Sequence, residues 1–270
     1  MNEKAKELLG KEKYDFADLC RVMEILRGEG GCPWDREQTH ESIRKNFIEE
    51  TYEVVEAIDT KDAHLLCEEL GDVLLQVVFH TQIEHEAGRF TIDDVTDGIV
   101  KKLIYRHPHI FADTTAETAE TVLDNWDKLK AKEKHRDTVT ASMRSVPRPL
   151  PALMRAEKVG KRAAKVGFDF ATAADAAVKI AEETNEVLTA TDATRAEEVG
   201  DLLFAAVNVA RKCGVDPERA LSDATDKFID RFAAVEDAVR ADGKRMEDLP
   251  LSVLDTYWDR VKANRNGENT

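Results

Sequence analysis

The 270-residue sequence contains little glycine and proline, 13 and 7 residues respectively, and only 6% of its residues are aromatic. Glycine and proline interrupt regular backbone structure, so their scarcity favours long helices. No segment alternates β-branched and polar residues between turn residues, the pattern that is typical of strands. The composition therefore predicts an all-α protein.

Long apolar runs are also lacking. The longest apolar stretch, residues 73–79, is far shorter than the roughly 20 residues that a membrane-spanning helix needs. The N-terminus, residues 1–4, is charged and has no apolar core of the kind found in signal peptides. The four cysteines, which have no CxxC spacing, are Cys20, Cys32, Cys67 and Cys213. We therefore expect a cytoplasmic protein with no membrane partner, no disulfide framework and no zinc site.

Positive charge is in the minority. The chain has 39 Lys and Arg against 54 Asp and Glu, a formal net charge of −15. Because nucleic-acid binding depends on basic residues that neutralise phosphates, this charge argues against a nucleic-acid polymer as partner. It does not exclude small anionic ligands, which can arrive with metal ions or meet local basic residues. Much of the charge is accounted for by solubility.

The sequence does contain an internal repeat of acidic blocks. The blocks are residues 49–53 (EExxE) and 68–72 (EELGD), and then residues 182–186 (EExxE) and 197–201 (EEVGD). A third block, WDxxK, begins at Trp126 and again at Trp258. Three matched blocks in one order predict a tandem duplication.

Proline marks the boundary between the copies. Residues 147, 149 and 151 are all proline, which forces an extended backbone. We therefore predict a first helical unit at 1–140, a Pro-rich linker at 141–151 and a second helical unit at 152–270, with four to five helices per unit. Thr91 and Thr172, each followed by Asp three residues later, resemble capping boxes at helix starts.

The acidic residues of each copy have helical spacing. Glu50 and Glu53 are three residues apart, so they share one face of a helix. Glu50 also lies in line with apolar Phe47 and Val54, which indicates a core-facing position. Burying an unpaired carboxylate is costly, so such residues pair with cations or coordinate a metal. If the two helices of a unit pack antiparallel, four carboxylates converge on one site.

Such an all-oxygen cluster suits Mg²⁺ or Mn²⁺ better than zinc or copper. Magnesium held in this way usually bridges to substrate phosphates, which indicates nucleotide chemistry. A single EExxE is usually a solvated surface, but here the pattern occurs twice within apolar stripes. A di-iron bundle is disfavoured because no Glu-x-x-His pair is present in these blocks. The carboxylates that lie off the stripes and are interpreted as surface charges are Glu49, Glu68, Glu182 and Glu197.

The EExxE and ExxD blocks resemble the all-α nucleoside triphosphate pyrophosphatases. The duplication, together with residues 31–35 (GCPWD), 106–111 (RHPHIF) and 165–169 (KVGFD), resembles the MazG family specifically. This resemblance implies Mg²⁺-dependent hydrolysis of a nucleoside triphosphate to the monophosphate and pyrophosphate, with broad base tolerance. It also implies a homodimer.

The resemblance also implies roles for individual residues. The implied metal ligands are Glu50, Glu53, Glu69 and Asp72 in the first unit, and Glu183, Glu186, Glu198 and Asp201 in the second. The second set is expected to carry most of the catalysis, with Glu186 or Glu183 as general base or as ligand. The implied nucleotide contacts are Lys179, Lys227, Arg231 and Trp258. From the residues alone, Lys227 and Arg231 could grip phosphates or be surface charges, and Trp258 could stack on a base or pack in a core.

Two alternatives stay open at this point. One is a non-catalytic scaffold or regulator that binds metal and nucleotide and releases the nucleotide unchanged. The other is a related pyrophosphatase that is restricted to one nucleotide, such as dUTP. An intermediate possibility is that one unit is catalytic and the other is structural or regulatory, although intact carboxylates in both copies argue against a catalytically dead first unit.

Overall fold

The computed structural model describes residues 3–112 and 138–267, together with Thr118, Val122, Trp126 and Leu129. The described residues form thirteen α-helices and one short 3₁₀ helix, with no strand among them, which confirms the all-α prediction. They divide into two compact units, Met1–Leu129 and Lys130–Thr270. The borders of the predicted units and linker stay a prediction, and residues 127 and 130 of the first WDxxK block lie outside the described residues.

The first unit contains seven described helices. They are α1 (Glu3–Leu9), α2 (Phe16–Arg27), α3 (Pro33–Glu37), α4 (His40–Thr60), α5 (Ala63–Glu86), α6 (Ile92–Arg106) and α7 (Pro108–Phe111). A turn at Lys61 and Asp62 joins α4 to α5, which pack along each other as a helical hairpin. Helix α2 packs against α5, where Met23 is buried with Ile43 and Phe79. This hairpin presents the first set of acidic residues.

The second unit contains six described helices. They are α8 (Val139–Arg144), α9 (Ala152–Ala164), α10 (Ala173–Thr189), α11 (Arg195–Lys212), α12 (Pro217–Ala241) and α13 (Leu251–Gly267), with the 3₁₀ helix Met246–Asp248 before the last. Helices α10 and α11 have the most extensive contact in this unit among the described helices, and α9 packs against α11 and α12. Val235, Val239 and Tyr257 form the core between α12 and α13.

Helix boundaries follow local sequence signals. The side chains of Thr91 and Thr172 each accept a hydrogen bond from the backbone N–H three residues on, and both capping boxes are complete. Helix α8 covers residues 141–144 at the start of the predicted linker, whereas residues 147–151, which contain the prolines, are not helical. Among the described helices, four in the first unit and five in the second are longer than ten residues. Shorter α-helices bring the described totals to seven and six, above the predicted four to five per unit. No described helix is long and apolar enough to cross a membrane.

Candidate functional site

The first acidic cluster lies between α4 and α5. Carboxylate oxygens of Glu50, Glu69 and Asp72 all lie within 4.8 Å of one another. Glu69 is only 9% exposed, although it is a carboxylate. Burial and hydrogen bonding with Glu53 raise the pKa of Glu50 above its ordinary value, and burial and the charge of Glu53 do the same for the pKa of Glu69. The four predicted ligands of this unit therefore lie close together.

The second cluster repeats this arrangement between α10 and α11. Carboxylate oxygens of Glu183, Glu186 and Glu198 lie within 4.8 Å of one another. Glu183 is 8% exposed, and its charge raises the pKa of Glu186 above the ordinary value. Asp201 is not in this group of three, but it lines the same cavity as Glu183.

The donor set of both clusters fits a hard divalent cation. Every candidate ligand atom is a carboxylate oxygen, and burial together with the charges of neighbouring carboxylates raises the pKa values of Glu50, Glu69 and Glu186, so like charges are held together. A cation such as Mg²⁺ or Mn²⁺ prefers oxygen ligands and would relieve this repulsion. Each unit therefore has an acidic cluster that could hold a metal ion.

A lysine distinguishes the second cluster from the first. The Nζ atom of Lys179 lies 2.8 Å from a carboxylate oxygen of Glu182 and 3.1 Å from one of Glu183. Hydrogen bonds to these two carboxylates raise the pKa of Lys179, so the side chain remains charged. Position 46, four residues before Glu50, is the matching site of the first unit and is occupied by asparagine. Of these two matched positions, only the one in the second unit therefore carries a positively charged side chain.

A cavity of about 610 Å³ adjoins the second cluster. Lys179, Glu183 and Asp201 line one part of it, and Phe168 and Phe204 contribute aromatic surface. The cavity therefore combines a charged region with an apolar wall, which is the usual composition of a small-molecule site.

The same cavity is also lined by a polar chain that runs from Asp169 through Arg211 to Asn208. Arg211 Nη1 donates to Asp169 Oδ2 over 3.1 Å, and Arg211 Nη2 donates to Asp169 Oδ1 and, over 3.1 Å, to Asn208 Oδ1. Asn208 Nδ2 donates to the carbonyl oxygen of Phe204 over 3.2 Å. The Arg211 guanidinium holds the pKa of Asp169 well below its usual range.

Sequence reasoning did not select Asn208 or Arg211 as site residues. Asn208 stands on the buried face of α11 between apolar residues, and it corresponds to Phe79 when the units are matched at Asp201 and Asp72. A polar residue at a buried position where the other copy has phenylalanine is the signal that could have identified it.

The other implied nucleotide contacts lie on α12 and α13. Trp258 packs against Phe228, with ring centroids 5.2 Å apart, and joins the core of these helices. Lys227 is exposed, and the Nε atom of Arg231 is buried without a hydrogen-bond partner among the described residues. None of these three residues belongs to the described lining of the cavity, whereas Lys179 does.

Comparison with known proteins agrees with this geometry. The family model of the MazG nucleotide pyrophosphohydrolase domain matches residues 38–111, which include the first acidic cluster. The nucleoside triphosphate pyrophosphohydrolase/pyrophosphatase MazG of Thermotoga maritima is 45% identical over 92% of this chain and 96% of its own length. The nucleoside triphosphate pyrophosphohydrolase of Escherichia coli is 44% identical over 90% of this chain and 95% of its own length. On this similarity, which extends over nearly the whole sequence, the chain belongs to the MazG family.

Proposed function

We propose that the chain hydrolyses nucleoside triphosphates, both ribo and deoxyribo, to the nucleoside monophosphate and pyrophosphate. The substrate class is that of the relatives, which are nucleoside triphosphate pyrophosphohydrolases. The observation that carries the proposal is the carboxylate cluster of the second unit, which opens into a cavity that Lys179 also lines. Such a site can take the phosphates at its charged region and the nucleoside beside its apolar wall.

Magnesium is the proposed cofactor, with Mn²⁺ as a substitute. The residues that would hold it in the second unit are Glu183, Glu186, Glu198 and Asp201, and in the first unit Glu50, Glu53, Glu69 and Asp72. When bound, such an ion offsets phosphate charge and lowers the pKa of a coordinated water.

Side chains of the second unit would supply a general base and a positive charge near the phosphates. Glu186 is exposed, and the charge of Glu183 raises its pKa, so we assign it the role of general base. It would accept the proton of the water that attacks the α-phosphorus, while the bond to the bridging oxygen breaks and pyrophosphate leaves. Lys179 offsets negative charge that develops on the phosphates.

Phosphate binding also involves α12 in this proposal. Lys227 and Arg231 are four residues apart and share one face of that helix. Their assignment to the phosphates follows the resemblance to the family, since neither residue lines the cavity as described. Trp258, on the neighbouring helix, is assigned to the nucleotide through the resemblance to the family.

A homodimer is part of the proposal because both units expose large apolar side chains at matched positions. These exposed pairs are Val55 and Leu188, Leu70 and Val199, and Leu74 and Leu203. The two residues of each pair occupy the same sequence position relative to the carboxylates of their respective units. Apolar surface that recurs on both carboxylate-bearing hairpins is typical of an interface between subunits.

Product analysis tests the reaction. Purified protein is incubated with each common NTP and dNTP and Mg²⁺, and the products are resolved by ion-exchange chromatography. We expect monophosphate and pyrophosphate, and we expect both to disappear when the metal is chelated. Diphosphate and inorganic phosphate would contradict the proposed bond cleavage. Binding without turnover of any substrate would favour the non-catalytic regulator.

A further inference from the structure

The two units differ next to their clusters although their acidic residues match. When the two units are aligned at their carboxylate ligands, Ile43 of the first unit corresponds to Ala176 of the second, and Phe79 corresponds to Asn208. All four residues are buried. The larger residue stands in the first unit at both positions, and Asn208, one of the two smaller residues, lines the cavity of the second unit.

Side chains fill this region of the first unit. Met23, Ile43 and Phe79 are 1%, 3% and 5% exposed and pack in one cluster. In the second unit a glycine, Gly160 on α9, faces Asn208, and a Cβ atom placed on it would lie 3.3 Å from Asn208 Oδ1. The cavity of about 610 Å³ lies here, within the size range of ligand pockets.

The position of this cavity fits the nucleoside part of a nucleotide. Asp201 and Asn208 both line it and are separated by seven residues of α11, a rise of about 10 Å. This distance is comparable with the span from the α-phosphate of a nucleotide to the far edge of its base. Phe168, which lines the cavity, is 82% exposed, and an exposed aromatic face at a pocket can stack on any base.

The polar chain fixes which group Asn208 can offer. Its Oδ1 atom accepts hydrogen bonds from Arg211 Nε and Nη2, and Arg211 is held in turn by Asp169. The amide therefore cannot rotate by half a turn without losing these bonds. Its Nδ2 atom has two hydrogens, and one of them is donated to the carbonyl oxygen of Phe204. The other hydrogen remains for a ligand, so Asn208 offers a hydrogen-bond donor to the cavity.

We infer that this cavity is the nucleobase pocket of the second unit, and that Asn208, oriented by Arg211 and Asp169, donates to a hydrogen-bond acceptor on the base. Every nucleobase carries at least one acceptor on its edge. A single donor beside aromatic faces therefore adds affinity for all bases and discriminates little among them. The inference rests on the proposed function, because it assumes that the carboxylate cluster binds the phosphates.

Binding measurements can separate the base from the phosphates. The probes are the non-hydrolysable α,β-methylene analogue of ATP and inorganic triphosphate, each titrated with Mg²⁺ into the full chain by calorimetry. All proteins carry Glu69→Gln, which weakens the first cluster as a competing site. We expect the nucleotide analogue to bind more tightly than triphosphate. Phe168→Ala and Asn208→Ala should each weaken binding of the analogue about tenfold and leave triphosphate affinity unchanged.

Two further variants complete the test. Gly160→Met places a large side chain against Asn208 at the cavity, and it should reduce binding of the analogue towards that of triphosphate. Phe90→Ala removes an exposed aromatic ring of the first unit and should change neither affinity. Unchanged triphosphate binding shows that each variant is folded.

Equal affinity for the two probes in the parent chain would overturn the inference. Variants that weaken both probes alike would overturn it as well. Failure of the proposed function would give a different result. Product analysis would then detect no monophosphate and pyrophosphate, while the analogue would still bind more tightly than triphosphate.

Discussion

Individual carboxylates carry the main functional signal of this chain. Their oxygens lie within 4.8 Å of one another in both clusters, and the pKa values of Glu50, Glu69 and Glu186 are raised. The folded chain thus holds like charges together at a cost in stability. Binding a divalent cation converts this repulsion into attraction, so ligand binding and folding are linked.

Magnesium should therefore raise the melting temperature of the wild type. At a concentration one hundred times the dissociation constant, the expected stabilisation is about 2.7 kcal/mol for each cluster that binds the ion. The increment should shrink as the pH falls through the raised pKa values, because protons compete with the metal for the carboxylates. Thermal melting with Mg²⁺ and with a chelator, at several pH values, measures both effects.

A matched pair of variants assigns this stabilisation to the clusters. Glu69→Gln combined with Glu183→Gln removes one carboxylate from each cluster and should abolish most of the Mg²⁺ increment. Glu68→Gln combined with Glu197→Gln changes exposed carboxylates of the same two units and should retain it. An equal loss in both double variants would show that Mg²⁺ acts through general charge screening.

Contacts between elements stabilise the hairpin that holds the first cluster. His40, at the start of α4, lies with its Nε2 atom 2.5 Å from Oε1 of Glu84 near the end of α5. Arg89, just beyond α5, also pairs with Glu84, with Nη2 donating to Oε1 over 2.6 Å. His80 contacts His40 through their Nδ1 atoms, 2.7 Å apart. The hydrogen bonds from Arg89 and His40 hold the pKa of Glu84 at about 2.

Glu84 should make the stability of this hairpin pH-dependent. Its folded pKa lies below the unfolded value of about 4.3, so its contribution is present above that value and is lost as the pH falls towards about 2. Glu84→Gln should be less stable than the wild type at pH 7, and the difference should vanish near pH 2. Urea denaturation across this range measures it, with the exposed Glu56→Gln as control. A constant difference at all pH values would contradict this role.

The elements themselves are largely predictable from the sequence. Thr172 with Asp175 predicts the start of α10, and the helical spacing of Glu183 and Glu186 places both on one face. The cavity beside them is not predictable in this way. It is lined by small residues of different helices, such as Gly160 of α9 and Ala205 of α11, which come together only in the folded unit. Propensity and periodicity carry no information about such a meeting.

At the scale of the whole molecule, the repeat predicts two units, and the described residues form two compact units. The sequence also places the short segment 141–144 in a linker, where the structure has part of α8. Arg162 of α9 bonds Ser142 of this short helix, so tertiary contact stabilises a segment whose nearby prolines indicate extended chain. Local sequence signals cannot report such a contact.

The exposed apolar positions lead to a prediction about assembly. Light scattering after gel filtration should give twice the 30.3 kDa mass of one chain. Leu203→Glu places a charge within the proposed interface, where Leu203 is 51% exposed, and should shift the mass towards the monomer. Leu251→Glu changes a leucine that is 72% exposed on α13 and should leave the dimer intact. A monomeric wild type would contradict the proposed homodimer.

The central claim is that the carboxylate cluster of the second unit carries out the hydrolysis. Its most direct test is the rate of pyrophosphate release from an NTP with Mg²⁺, compared between Glu198→Ala and Glu197→Ala. The account predicts a loss of about one hundredfold or more for Glu198→Ala and little change for Glu197→Ala, whose exposed carboxylate lies outside the cluster. Near-normal release by Glu198→Ala, or an equal loss in both variants, would contradict it.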